Sequence, residues 1–142
     1  MSSTIFHAPP GRIERSDVIV MLRATVDDLP RIQKIWPAFE SLVGLRGRKM
    51  FACVDVEQNT YTVCTPIREE DTPDEFGLEL GTLPGGSYLR GSLIGEPPEV
   101  YGRIGTGMAE LVAAAAEVDR SRPLVEYYRR RNHIELWVPI VD

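Results

Sequence analysis

The sequence predicts an α+β fold made of two related strand-helix-strand-strand units, with antiparallel sheets and a cleft between the units. Three observations carry this. The order strand, helix opened by acid and proline, then hairpin occurs twice, over about residues 17–67 and 77–141 of the 142-residue chain. Leu22-Arg23-Ala24 leads to Pro30 and Leu89-Arg90-Gly91 leads to Pro97, the same step each time, and a shift of two more lays Ile35, Phe39 and Leu42 on Ile104, Met108 and Leu111. The last run, His133 to Ile140, alternates strictly. It puts Ile134, Leu136, Val138 and Ile140 on one face and Glu135, Trp137 and Pro139 on the other, the period-two mark of a half-buried strand. Residues 17–142 are therefore expected to form one domain, preceded by an extended segment over residues 1–16.

In chain order, Met1 to Ser16 shows neither period and reads as a lead-in, with His7 an incidental tail residue. Val18 to Thr25 is the first strand. Asp27-Asp28-Leu29-Pro30 opens a helix, because acids suit the positive end of the helix dipole and proline lacks only an N–H that has no partner there. Leu29, Ile32, Ile35, Trp36, Phe39, Leu42 and Val43 form its apolar stripe, in which Trp36 and Phe39 read as core, and Gly44 ends it. Pro37 should kink or shorten this helix, since it removes the bond to the carbonyl of Gln33.

Lys49 to Val56 and Thr60 to Ile67 form a hairpin. With Gln58-Asn59 as loop, paired residues sum to 117, which puts Met50, Ala52, Val54 and Val56 with Tyr61, Val63, Thr65 and Ile67 on the core face. Phe51, Asp55, Cys53 and Cys64 take the other face, with Cys53 directly opposite Cys64; a reducing cytoplasm keeps such thiols free. Arg68 to Phe76, acidic and proline-bearing, reads as a solvated connector. Gly77 to Leu83 is extended, and Pro84-Gly85-Gly86 turns the chain into the strand Ser87 to Ile94. No Lys-Ser/Thr follows the glycines to make a phosphate loop. Gly95 to Glu99 opens the second helix, with the stripe Tyr101, Ile104, Met108, Leu111, Val112 and Ala115. Gly102, Gly105 and Gly107 each cost it about 1 kcal/mol relative to alanine, a cost that needs a close backbone approach to explain it.

Pro123 to Ile140 reads as the closing hairpin. With Arg131-Asn132 as loop, pairs sum to 263, so Glu126 faces Trp137 and Tyr128 faces Glu135, and one face carries two carboxylates and two aromatic rings. A one-residue slip would break that arrangement. The residues support two readings: a pocket wall, or a solvent-facing strand on which Glu126 and Glu135 pair with Arg129, Arg130 and Arg131.

The composition excludes several classes. A hydrophobic share of 43% and a charged share of 26% are those of a globular chain rather than a disordered one. A net charge of -5 disfavours a nucleic-acid platform and suits a cationic or neutral ligand. No apolar run approaches the roughly 20 residues that span a bilayer, and no signal-peptide core opens the chain, so no membrane and a cytoplasmic location are expected. Two cysteines without partners at ligand spacing give no metal motif, and no cofactor is called for.

The turn and strand Leu83-Pro84-Gly85-Gly86-Ser87-Tyr88, the Pro97-Pro98 start of the second helix, Pro123 with Glu126 and Tyr128, and the ending Ile134-Glu135-Leu136-Trp137-Val138-Pro139-Ile140 together resemble the GyrI-like family, over about Val18 to Ile140. This is the small-molecule-binding domain also found as the effector domain of multidrug-responsive transcription regulators. The resemblance implies pseudo-twofold symmetry, SHS2-type repeats and a ligand cleft where the units meet. It implies that Glu126 lies at the floor of an aromatic pocket for lipophilic, often cationic compounds, with Tyr128 and Trp137 as walls and Tyr88, Tyr101 and Phe51 as further contacts. A stand-alone binding module follows, since the remaining residues are too few for a helix-turn-helix to touch DNA. Two alternatives come with the family: a hydrolase of electrophilic, cyclopropane-type compounds with Glu126 as base, and protein-partner binding of the kind that inhibits a topoisomerase.

Overall fold

The computed structural model describes residues 5–142. The chain runs through β1 (Gly11–Arg15), β2 (Val18–Val26), α1 (Leu29–Val43), β3 (Met50–Asp55), β4 (Thr60–Pro66), the single turn α2 (Pro73–Phe76), β5 (Glu79–Leu83) and β6 (Gly86–Ile94). A 3-10 turn (Glu99–Arg103) then leads into α3 (Ile104–Ala114), followed by β7 (Leu124–Arg130) and β8 (His133–Pro139). All strands pair antiparallel in one eight-stranded sheet of order β1-β6-β8-β7-β3-β4-β2-β5. The order is symmetric about the β7/β3 junction, where β7, β8 and β6 mirror β3, β4 and β2. The two expected units are thus joined edge to edge in a single sheet.

The lead-in carries an element its sequence does not announce. β1 precedes β2 but pairs with β6, and β5 precedes β6 but pairs with β2, so each unit lends its leading strand to the other. β1 and β2 stand six strand spacings apart in the order, about 29 Å in a flat sheet, yet only Ser16 and Asp17 join them, a link that reaches about 10 Å at most. Pro84 and Gly85 join β5 to β6 under the same constraint. The sheet must therefore curl until its flanks meet. The two links touch where they cross: the Gly85 N–H donates to Asp17 Oδ1 at 2.6 Å, and a Cβ on Gly85 would lie 2.5 Å from the Arg15 carbonyl oxygen. Arg122 braces the junction, donating to the carbonyls of Gly85, Ser87 and Ile140.

The curl gives the sheet two unlike faces. Its concave face holds a cluster drawn from nearly every strand, with Val20, Phe51, Cys64, Leu83, Tyr88, Val125 and Trp137 buried together. The convex face carries two separate clusters. One is under α1 with Met21, Ile35, Phe39 and Val63, and the other under α3 with Leu93, Met108, Leu111 and Leu136. Tyr128 packs against both.

The helices depart from expectation in two places. α1 runs through Pro37 without stopping and ends at Gly44, whose N–H caps Glu40 at 2.8 Å; its start is held by Asp28, which accepts from the Arg31 N–H. The glycines of α3 divide. A Cβ on Gly107 would meet Leu136 at 2.8 Å and the Phe6 ring at 3.4 Å, so this glycine admits the lead-in beneath the helix, whereas Gly102 and Gly105 face open space.

The connector is less solvated than its composition suggests. The Asp71 side chain is buried, accepts both guanidinium bonds of Arg48 at 2.6 and 2.7 Å and takes the Arg68 N–H at 2.7 Å. The β3/β4 pairs sum to 115, because a four-residue turn over residues 56–59 replaces the two-residue loop; parity survives, but Cys53 faces Thr62 and Cys64 faces Phe51. Both cysteines are free thiols.

Urea denaturation should separate the glycines. Gly85→Ala and Gly107→Ala should each lose about 1–3 kcal/mol to crowding. Gly105→Ala should gain about 0.5–1 kcal/mol, since alanine fixes helical backbone at lower entropic cost. Equal effects at all three positions would remove close approach as the reason for Gly85 and Gly107.

Candidate functional site

Register decides which side chains meet. At its tip the β7/β8 hairpin follows the expected loop, with Arg130 opposite His133, but the register shifts between Tyr128 and Arg130. Beyond the bulge Val125 faces Trp137, Glu126 faces Leu136, Tyr127 faces Glu135 and Tyr128 faces Ile134. One unpaired residue has moved the strand by one, which turns every side chain of one partner to the opposite face relative to the other. Glu126 and Tyr128 therefore stand on the convex face, and Trp137 and Glu135 on the concave one. The expected grouping of Glu126, Tyr128 and Trp137 on one face is corrected accordingly.

The two carboxylates meet opposite fates. Glu135 accepts from Trp137 Nε1 at 3.0 Å and from Arg129 at 3.1 Å, so the pairing expected of a plain strand surface is realised here. Trp137 itself is sealed among Phe51, Tyr88 and Tyr127, with the Arg15 guanidinium over its ring. Trp137, Tyr88 and Phe51 thus form a concave-face core.

Glu126 lies at the β7/β3 junction, opposite Ala52, with only 7% of its surface exposed. Ala52 is small enough for Tyr61 to reach across from β4. The Tyr61 hydroxyl donates to Glu126 Oε1 at 3.0 Å and the Tyr128 hydroxyl donates to the same oxygen at 2.6 Å. Trp36, from α1, donates its Nε1–H to the Tyr61 oxygen at 2.9 Å and sets its ring edge-on to Tyr128 at 5.0 Å. Tyr101, from the 3-10 turn, lies 6.3 Å from Tyr128 and is 46% exposed at the rim. Four rings from four elements thus form one cluster at the carboxylate, Tyr61 and Tyr128 touching it and Trp36 and Tyr101 packing against them. Tyr128 and Tyr101 were expected near it. Trp36 and Tyr61 were read as core, and the only hint of more was that each carries a polar handle on an otherwise aliphatic face.

The electrostatics are one-sided. Among the described residues no Lys, Arg or His forms an ion pair with Glu126, and Oε2 accepts no hydrogen bond. Burial pushes its carboxyl above the ordinary value of 4.5; the two phenols oppose the shift and the nearby charge of Asp27 adds to it. Burial and the Glu126 charge also raise the phenols of Tyr61 and Tyr128, so both remain donors. Two cavities, of about 440 and 320 Å³, are lined by other residues, among them Val20, Leu22 and Cys64 in the larger and Val18 and Phe51 in the smaller. Glu126 lines neither of these two and is 7% exposed within its ring cluster. Among the described residues no group of three or more His, Cys, Asp or Glu could hold a metal ion, and no helix is long and apolar enough to cross a membrane.

A family model described as an integron-associated effector binding protein, Cass2, matches residues 30–140. Among solved structures, the fold resembles an integron cassette protein from the mobile metagenome of Vibrio cholerae, at a TM-score of 0.72 and 17% identity over 96% of this chain and 97% of that one. It also resembles SAV2435 bound to tetraphenylphosphonium, at 0.65 and 12% over 94% of each chain. The C-terminal domain of EcmrR matches at 0.64 and 13%, over 94% of this chain and 98% of that one. No curated protein matches significantly in sequence.

The raised carboxyl has a consequence for folding. Folded protein holds the Glu126 proton to higher pH than the unfolded chain, so in the window above 4.5 the unfolded chain binds fewer protons and rising pH favours unfolding. The stability that the protonated group contributes is complete below that value and is lost as pH climbs through the folded one. Glu126→Gln should remove this slope, so denaturation curves of the two proteins should diverge as pH rises towards neutrality, with the variant the more stable. Parallel pH profiles would show that the carboxyl is not perturbed.

Proposed function

This chain belongs to the family of integron-associated effector binding proteins, and from that premise we propose that it binds a lipophilic cation between α1 and the 3-10 turn, with Glu126 as the counter-charge and Trp36, Tyr61, Tyr101 and Tyr128 as aromatic walls. The observation that carries this reading is the buried carboxylate with no cation beside it among the described residues. Desolvating such a group is costly unless a positive charge or hydrogen bonds compensate it, and here two phenols on one oxygen supply only part of that compensation. A cation of diffuse charge and apolar surface completes it. Such a ligand gives up little hydration on entering, gains the free Oε2, and meets the faces of aromatic rings that attract positive charge.

Tetraphenylphosphonium, found on the structural relative SAV2435, is a compound of that kind. At a surface-like dielectric, opposite charges about 4 Å apart attract by roughly 4 kcal/mol, from which desolvation must be subtracted. The net charge of -5 draws cations in the same direction. Ligand entry requires the rings to part, and half-buried Trp36 and Tyr101 at the rim are placed to move first.

Isothermal titration with tetraphenylphosphonium and with neutral triphenylphosphine oxide tests this. Glu126→Gln should weaken the cation about tenfold to a hundredfold, or about 1.4–2.7 kcal/mol, and leave the neutral compound within about threefold. Affinity for the cation should rise with pH through the raised Glu126 titration and then level off. Emission of Trp36 should respond to binding and that of Trp137 should not, since only Trp36 belongs to the cluster. Equal loss for both compounds, or none for either, would leave Glu126 with no part in charge recognition.

A further inference from the structure

The larger cavity, about 440 Å³, lies on the other side of the sheet from Glu126 and is lined by both cysteines, with Val20, Leu22, Pro123 and Leu124 as apolar neighbours. Cys53 on β3 and Cys64 on β4 share the concave face but stand diagonally, Cys53 opposite Thr62 and Cys64 opposite Phe51. The neighbouring Cys53 thiol and burial together hold the Cys64 thiol well above its usual range. Cys53 is half-buried, which gives the cavity a reachable sulfur in front of a buried one.

From this arrangement we propose that the Cys53–Cys64 pair is a second binding site, which captures a two-coordinating thiophile such as a trivalent organoarsenical between its sulfurs while the hydrocarbon substituent fills the cavity. The diagonal register separates the two α-carbons by about 7–8 Å, beyond the roughly 4.4–6.8 Å that suits a direct disulfide. Both side chains nevertheless lie on the same face of adjacent strands and line one cavity, so one inserted atom bridges them with less distortion than a sulfur–sulfur bond requires. The reaction is a condensation without redox change. A hydrated arsenical R–As(OH)2 loses both hydroxyls, each thiol gives up its proton, two As–S bonds replace two As–O bonds, and two waters leave. The apolar wall from Val20, Leu22 and Leu124 favours an aryl or alkyl substituent over a free oxyanion. The site shares no residue with the Glu126 cluster and does not depend on the proposed function.

Phenylarsine oxide is the probe. One equivalent added to native protein, followed by iodoacetamide under denaturing conditions and intact-mass measurement, should give one arsenical per chain with neither of the two cysteines alkylated. Excess 2,3-dimercaptopropanol should restore both to alkylation. Cys53→Ser and Cys64→Ser, each checked for its melting transition, should weaken the adduct about a hundredfold or more, because the chelate is lost. If one variant fails to fold, the other and the native protection result still decide. Adduct formation only after unfolding, alkylation of either cysteine in the native adduct, or single-serine variants that bind as tightly as the parent would overturn the proposal.

Discussion

The contact between two crossing links, Ser16-Asp17 and Pro84-Gly85, is the constraint from which the rest of the architecture follows. Each link is two residues long and each must join strands that the pairing order places six spacings apart. Only a strongly curled sheet satisfies both, and only a residue without Cβ lets the two backbones pass, since an added atom at Gly85 would lie 2.5–2.7 Å from the Arg15, Ser16 and Asp17 backbone. Curling produces one enclosed face, where side chains from nearly all strands converge, and one open face, where the helices of the two units sit apart. The seam between the units is where Glu126 is buried, under side chains that both units and α1 contribute.

A second, smaller device decides what occupies that seam. The bulge between Tyr128 and Arg130 shifts β7 against β8 by one residue and sends the two glutamates of the hairpin to opposite faces. Glu135 lands within reach of Arg129 and of the Trp137 ring nitrogen, and its charge is compensated inside the protein. Glu126 lands between phenols, with no ion pair among the described residues. The two residues are nine positions apart on one hairpin, and the difference between a structural ion pair and an open acceptor comes from one unpaired residue.

The aromatic cluster also explains how an unpaired carboxylate survives burial in the free protein. Tyr61 and Tyr128 share Oε1, and Trp36 supports Tyr61 from behind, so hydrogen-bond donors substitute for the absent charge. The substitution is partial, as the raised carboxyl shows. Under the proposed function this partial compensation is what a ligand would complete: full pairing would leave nothing for it to supply, and none would make the folded state too costly.

What the sequence determined by itself was the order and kind of elements, because period-two and helical stripes, acid-and-proline helix starts and the Gly44 stop are local properties of consecutive residues. The twofold repetition of those elements was legible for the same reason, as was the burial of Phe39, Val63 and Leu136. Glu126, Tyr128 and Tyr101 came into one expected site through the family resemblance, and the spacing rule that joined Glu126 to Trp137 assumed an unbroken ladder. The tertiary structure decided the rest. A bulge is invisible to a rule that counts symmetrically from the loop, so the faces of the last hairpin could be assigned only from the pairing itself. The exchange of leading strands between units, the burial of Asp71 against Arg48, and the convergence of Trp36 and Tyr61 on Glu126 all join residues distant in the chain. No local pattern encodes them, since each depends on where the curl of the whole sheet brings separate strands and helices together.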